Sequence, residues 1–245
     1  MTTMTIIDDL LVLLDDEHLH SLEEITSTLA DRSKQTISST LGRLMAKGWV
    51  ERVTNRGRGQ YQITVSGRNH VTSFLDQIKR LSSDGWDRSW EQVVFNIPER
   101  DRKRRDDLRS LLVGLGYGRL HGWFWLSPWS NRADLERYIA ATKSEKDITI
   151  LRTGPLDQVT NQRIGSLFEW DWKALITAYD QFISAAELFL KSGPKGAYEA
   201  RCLVYQYAKV LMTDPKLPRE LPTHVGNSTK AFDLYLRIRP YCYQD

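Results

Sequence analysis

The chain has 245 residues, 41% apolar and 27% charged, with a net charge of +3; these are globular proportions, enough for two or three small domains. No apolar run approaches the roughly 18–20 residues of a membrane helix, and the acidic N-terminus lacks the basic start and small-residue cleavage site of a signal peptide, so a cytoplasmic protein with no membrane partner is expected. Cys202 and Cys242 make neither a disulfide framework nor a metal-ligand spacing, so no metal and no cofactor are expected.

Charge is unevenly distributed. Residues 1–31 hold eight acids (Asp8, Asp9, Asp15, Asp16, Glu17, Glu23, Glu24, Asp31) and no Lys or Arg. Residues 32–68 hold eight bases (Arg32, Lys34, Arg43, Lys47, Arg52, Arg56, Arg58, Arg68) and one acid, Glu51. Such a reversal within one small domain suggests a basic face, provided the bases fall on suitable elements.

Ile6, Ile7, Leu10, Leu11 and Leu14 recur at helical spacing and predict a first helix ending near Asp15. Ser21 followed by Glu24 is a capping box that should open a second helix carrying Leu22, Ile25 and Leu29. Ser33 is a good N-cap for a third helix reaching about Lys47, with Ile37, Leu41 and Leu44 inward and Gly48 as its stop. Residues 49–53 and 61–65 read as strands around a turn rich in Arg and Gly. Three helices and a basic hairpin describe a winged helix-turn-helix. Lys34, Gln35, Ser38, Ser39 and Arg43 then form the outward face of the third helix, which in such a fold enters the major groove. Gln can read adenine and Ser either base type; the Ser33 cap and the positive helix end suit a phosphate. Arg56 and Arg58 at the hairpin tip suit phosphates or a narrow minor groove.

Val71, Phe74, Leu75, Ile78 and Leu81 mark a connecting helix, and Ser82 to Gly85 a hinge. From Trp90 to Leu151 the order strand, helix, strand, strand, helix, strand is the ferredoxin-like arrangement, with Asn131 capping its second helix. From Ser166 onward the pattern is helical, broken by the Pro-rich stretch 214–222. The expected fold is α+β: a winged helix-turn-helix at 1–66, a connecting helix and hinge at 67–85, a ferredoxin-like domain at 86–155 and a helical C-terminal domain at 156–245.

Several stretches carry a more specific resemblance: Gly48-Trp49 with its Arg-rich wing, residues 95–99 (Phe-Asn-Ile-Pro-Glu), Arg104-Arg105-Asp106 with Leu108-Arg109, residues 115–118 (Leu-Gly-Tyr-Gly), Trp123 to Pro128, and Asp214 to Pro222. In this order, and over nearly the whole chain, they resemble the PaaX family of repressors, named for control of phenylacetate degradation. The resemblance implies a homodimeric repressor, not an enzyme, that binds a double-stranded DNA operator and is released by an acyl-CoA effector of the phenylacetyl-CoA kind. It also implies a middle domain similar to the small nuclease of CRISPR adaptation. A metal-dependent nuclease built on that domain is the alternative reading; a DNA-binding protein without an effector is a third. Asn96 stands where that nuclease carries a metal-binding Asp, and an amide cannot supply the charge Mg²⁺ wants. His18 and His20 are poorly spaced for metal coordination, and Ser166 lacks a nucleophile elbow. Strand alternation should put Trp123 and Trp125 on one sheet face and Phe124 on the other. Together with Trp129 these tryptophans are either core or interdomain packing, or the wall of an aryl site. Arg102, Lys103, Arg104, Arg105 and Arg109 are either a solvated helix or the basic residues for coenzyme A phosphates.

Overall fold

The computed structural model describes residues 4–16, 18–55, 58–79, 85–121, 124–192, 196–218, 220–221 and 226–243. Helix α1 (Ile6–Leu13) opens on a capping box of its own, in which the Thr5 hydroxyl accepts from the Asp8 amide and Asp8 accepts from the Thr5 amide at 2.9 Å. A two-residue strand, β1 (His20–Ser21), precedes α2 (Leu22–Thr28). The expected Ser21–Glu24 box starts α2, with Glu24 Oε2 2.7 Å from the Ser21 amide. Helix α3 (Lys34–Ala46) begins at Ser33, whose hydroxyl accepts from the Thr36 amide, and buries Ile37, Thr40, Leu41 and Leu44. Gly48 then takes a φ of 69°, a left-handed turn that suits glycine.

The hairpin that follows is longer than the sequence suggests. Strand β2 (Val50–Asn55) pairs with β3 (Arg58–Ile63) at six positions, from Val50 opposite Ile63 to Asn55 opposite Arg58. Thr54 and Gly59, read above as turn residues, face each other in the ladder. β1 adds a third strand, with His20 opposite Tyr61. Helix α4 (Val65–Lys79) follows, and Val71 and Leu75 pack onto the same core. The predicted hinge at Ser82 to Asp84 lies outside the described residues, as does Arg56; Gly85 is exposed.

The middle of the chain runs β4 (Glu91–Phe95), α5 (Arg102–Gly114), β5 (Gly118–His121), β6 (Phe124–Ser127), α6 (Arg132–Thr142) and β7 (Ile148–Arg152). Its sheet order is β5-β6-β4-β7, all antiparallel, as in the ferredoxin-like fold. One face packs Val93, Phe95 and Trp125 against Leu108 and Leu112 of α5 and Leu135 of α6. The other face packs Leu126 with Trp90, Phe168 and Leu221, flanked by Phe124, Trp170 and Trp172. Gly118 is needed there: a Cβ on it would stand 2.2 Å from the Phe168 ring.

The remaining helices are α7 (Gln158–Leu167), α8 (Trp172–Ser192), α9 (Ala197–Thr213) and α10 (Ser228–Ile238). By packing, the chain forms two discontinuous units: Met1–Arg80 with Ala178–Lys209 and Asn227–Asp245, and Leu81–Thr177 with Val210–Gly226. The helical stretch expected as one domain at 156–245 is thus shared between them. The cause is apolar cover. Tyr198, Cys202 and Tyr205 complete the core over α1, whereas Phe168, Trp170, Trp172, Leu217 and Leu221 close the second face of the middle sheet. Among the described residues no helix is long and apolar enough to cross a membrane.

Candidate nucleic-acid interface

Burying Ile37, Thr40, Leu41 and Leu44 turns the other side of α3 outward. Ser33, Lys34, Gln35, Ser38, Ser39 and Arg43 are all exposed, as the sequence predicts, and Thr36 joins them. Their freedom differs. The Ser39 hydroxyl donates to the Thr36 carbonyl at 3.0 Å, so toward a base it has acceptor lone pairs to offer. The Ser33 oxygen accepts from the Thr36 amide at 3.1 Å and lies 2.8 Å from the Thr36 hydroxyl, so its capping task occupies it. Arg43 folds back to donate to the buried Thr40 hydroxyl at 2.9 Å, which fixes the direction of its guanidinium. Lys34 and Gln35 make no such contact among the described residues. Past the end of α3, the Lys47 ammonium sits 4.6 Å from the Trp49 ring centroid. Trp49 in turn stacks on His70 at 4.1 Å; burial, with Lys47 nearby, holds the His70 pKa down against the pull of Asp8.

In the hairpin, opposite residues share a face. Val50 and Ile63 face the core they share with Ile37, Leu41 and Leu44 of α3. Arg52, Tyr61 and Gly59 continue that face toward the tip; Arg58 lies on the other face with Gln60, Gln62 and Glu51. Glu51 accepts from the Gln62 amide at 2.6 Å.

The acidic segment at the N-terminus is not a free charged surface. Asp8 accepts from Lys209 Nζ at 2.8 Å and from the Tyr205 hydroxyl at 3.1 Å, both on α9. Asp9 accepts from Arg32 at 3.0 Å. Asp16 accepts from Arg201 at 3.3 Å and is 2.9 Å from His20 Nε2. Hence Asp8, Asp9 and Asp16 are compensated from within, by Lys209, Arg32 and Arg201, while Lys34, Arg43 and Arg58 make no ion pair among the described residues. His18 is largely exposed, whereas the His20 side chain is 17% exposed and held by Asp16 rather than loose on the surface.

Among the described residues, those considered for an effector are engaged in other contacts. Trp123 lies outside the described residues. Trp125 is 7% exposed and sits in the core of the middle unit. Arg104 is paired with Asp147, Arg105 with Glu99, and Arg102 and Arg109 with Asp106. Asn96 is exposed, and its backbone N–H donates to the Asp147 carbonyl at 2.8 Å. Among the described residues no group of three or more His, Cys, Asp or Glu is placed to hold a metal ion. The polar centre of this unit is one the sequence did not single out. Glu91, fully buried, accepts from the Tyr117 hydroxyl, from Ser130 at 2.9 Å and from the Asn131 amide at 2.9 Å. It anchors the start of α6, where Asn131 was expected to cap with its side chain; that side chain donates to the Leu115 carbonyl instead.

A three-helix module with a polar, exposed third helix beside a basic hairpin, followed by a ferredoxin-like unit, defines a winged helix-turn-helix regulator. Comparison with known proteins points the same way. Residues 83–164 match the family model of the PaaX protein central Cas2-like domain, and residues 10–114 match that of the penicillinase repressor. The chain is 21% identical over 219 residues to the transcriptional repressor PaaX of Escherichia coli (strain K12), covering 83% of this chain and 69% of that protein. The solved structure of an uncharacterized protein from Mycobacterium tuberculosis shares the fold, with a TM-score of 0.61 at 20% identity, over 94% of this chain and 92% of that one. The matches support a regulator similar to the PaaX repressors, and with it a transcriptional repressor.

Proposed function

We propose that this protein is a homodimeric repressor that binds operator DNA through α3 and the wing and leaves it when an acyl-CoA thioester of the phenylacetyl-CoA kind binds. The observation that carries the DNA-binding part is the exposed face of α3, where Lys34, Gln35 and Ser38 stand free of intramolecular partners among the described residues. Two copies are needed because one winged helix reads few bases, and two-fold symmetric sites answer to two-fold symmetric proteins. The effector rests on the family resemblance. The buried Trp125 and the acid-paired arginines of α5 do not supply its site as they stand, so the acyl group is expected elsewhere or in a rearranged conformation. No enzymatic step is assigned to the chain.

The test is a titration of labelled DNA from upstream of the protein's own gene, with and without phenylacetyl-CoA. Tight binding, with a Kd of about 10⁻⁸ M or below, that weakens at least tenfold with the thioester supports both parts. Binding that ignores every acyl-CoA tried removes the effector. Binding no tighter than to unrelated DNA removes the operator, and with it the repressor.

A further inference from the structure

The sequence singles out the arginines at the hairpin tip, but the strand register points to a different one. Arg52 lies on the side of the hairpin that faces α3, in line with Val50, while Arg58 lies on the opposite side. Its guanidinium occupies the space a side chain at 59 would take: a Cβ on Gly59 would be 2.3 Å from Arg52 Nε and 2.4 Å from one terminal nitrogen. Any other residue at 59 would fill the seat. Arg52 is exposed and, like Arg58, makes no ion pair among the described residues, so what separates the two is the face each takes in the ladder. Glu51 next to it points to the other face and is occupied by Gln62. So an exposed cation, without an ion partner among the described residues, lies on the hairpin face that continues from the core shared with α3.

We propose that Arg52, seated on Gly59, is the wing's main contact with the DNA backbone, and that Arg58 is secondary. This rests on the DNA-binding reading above. A planar guanidinium with room to lie over a glycine can grip a phosphate with two parallel hydrogen bonds. Gly59 is there for that seat and not for its backbone, since it is absent from the positive-φ glycines.

The experiment measures affinity for one DNA duplex across a salt series, with thermal unfolding of each variant as the control for folding. Each phosphate contact contributes about 0.9 to the slope of log K against log salt. Arg52→Ala is expected to lower the slope by about that amount and to weaken binding about fivefold at 0.15 M salt. Arg52→Lys should restore most of the slope, because the charge returns. Gly59→Ala should bind as weakly as Arg52→Ala with unchanged unfolding, and the double variant no more weakly than either. Arg58→Ala should change the slope less than Arg52→Ala does. If wild type binds with a steep salt dependence and Arg52→Ala keeps its slope, this proposal falls and the DNA-binding reading stands. Additive losses in the double variant overturn the seat. If wild type binds no DNA, both fall together.

Discussion

Asp8 and Asp9 are neighbours on α1, both 8% exposed, yet their surroundings move them in opposite directions. Burial alone would raise the Asp8 pKa, but hydrogen bonds from Lys209 and Thr5 outweigh it and bring the carboxyl below the ordinary 3.8. For Asp9 burial wins over Arg32, with Asp31 and Asp8 adding to the rise. The consequences for stability have opposite signs. A carboxyl depressed in the fold contributes stability above its unfolded pKa and loses it as pH falls through the folded value; a raised one contributes below its unfolded pKa and loses that as pH rises. Asp8→Asn should therefore cost about 1.5–3 kcal/mol near pH 7, the range for hydrogen bonds to charged groups. The cost should shrink as pH falls from 3.8, where the unfolded carboxyl protonates, through the depressed value of the folded one. Asp9→Asn should cost less near pH 7, because it removes an ionisation that burial opposes. Denaturant unfolding at pH 7 and pH 3 checks both; an Asp8→Asn loss of the same size at the two pH values would show that the ion pair with Lys209 is not its source.

At the scale of elements, the local signals were legible and the distant ones were not. Ser21 and Ser33 cap the helices they were expected to cap, because a capping side chain needs only the next three residues. The inward face of α3 followed from its period, but Thr40 was missed: a hydroxyl at an apolar position breaks the pattern even though the core accepts it once Arg43 satisfies it. β1 is too short to show alternation. The hairpin was drawn too short because Thr54 and Gly59 resemble turn residues, while only the ladder reveals them as a pair. The same ladder decides which arginine faces α3, a fact no composition argument contains. Within α3 the contacts separate two kinds of binding. Gln35→Ala should change which operator bases are preferred, with a loss of about 1–3 kcal/mol on the preferred site and little on unrelated DNA. Lys34→Ala should weaken both by similar factors, since a phosphate contact carries no sequence. Competition titrations against operators mutated one base pair at a time measure the difference. Equal losses on specific and unrelated DNA for Gln35→Ala would take it out of base reading.

On the scale of the whole molecule, the order of elements in the middle unit was readable because each strand and helix there is bounded by its own turn residues. The partition into units was not, since it depends on contacts such as Lys209 to Asp8, 201 residues apart. A winged helix confined to residues 1–66 would leave α1 facing water on the side now covered by Tyr198, Cys202 and Tyr205. α1 is buried on all sides from Asp8 to Leu13, so that cover is part of the module's core rather than an attachment to it. The aromatic stack of Phe182, Tyr207 and Tyr235, with centroids 4.9 and 5.2 Å apart, ties α8 and α10 to α9 behind it. A fragment of 1–80 must therefore hold together a core of small-domain size with one wall removed, and domains that small are marginal even when intact. The fragment is expected to show no cooperative thermal transition and to bind operator at least tenfold more weakly than the full chain. A Tyr205→Ala variant of the full chain should move partway in the same direction, losing about 3–5 kcal/mol as a large aromatic is cut from the core. Calorimetry of the fragment decides the matter. A sharp two-state transition, with operator affinity per binding site equal to that of the full chain, would show that the C-terminal helices are dispensable to the reading head. Their grip on α1 would then have to be explained by something other than its stability.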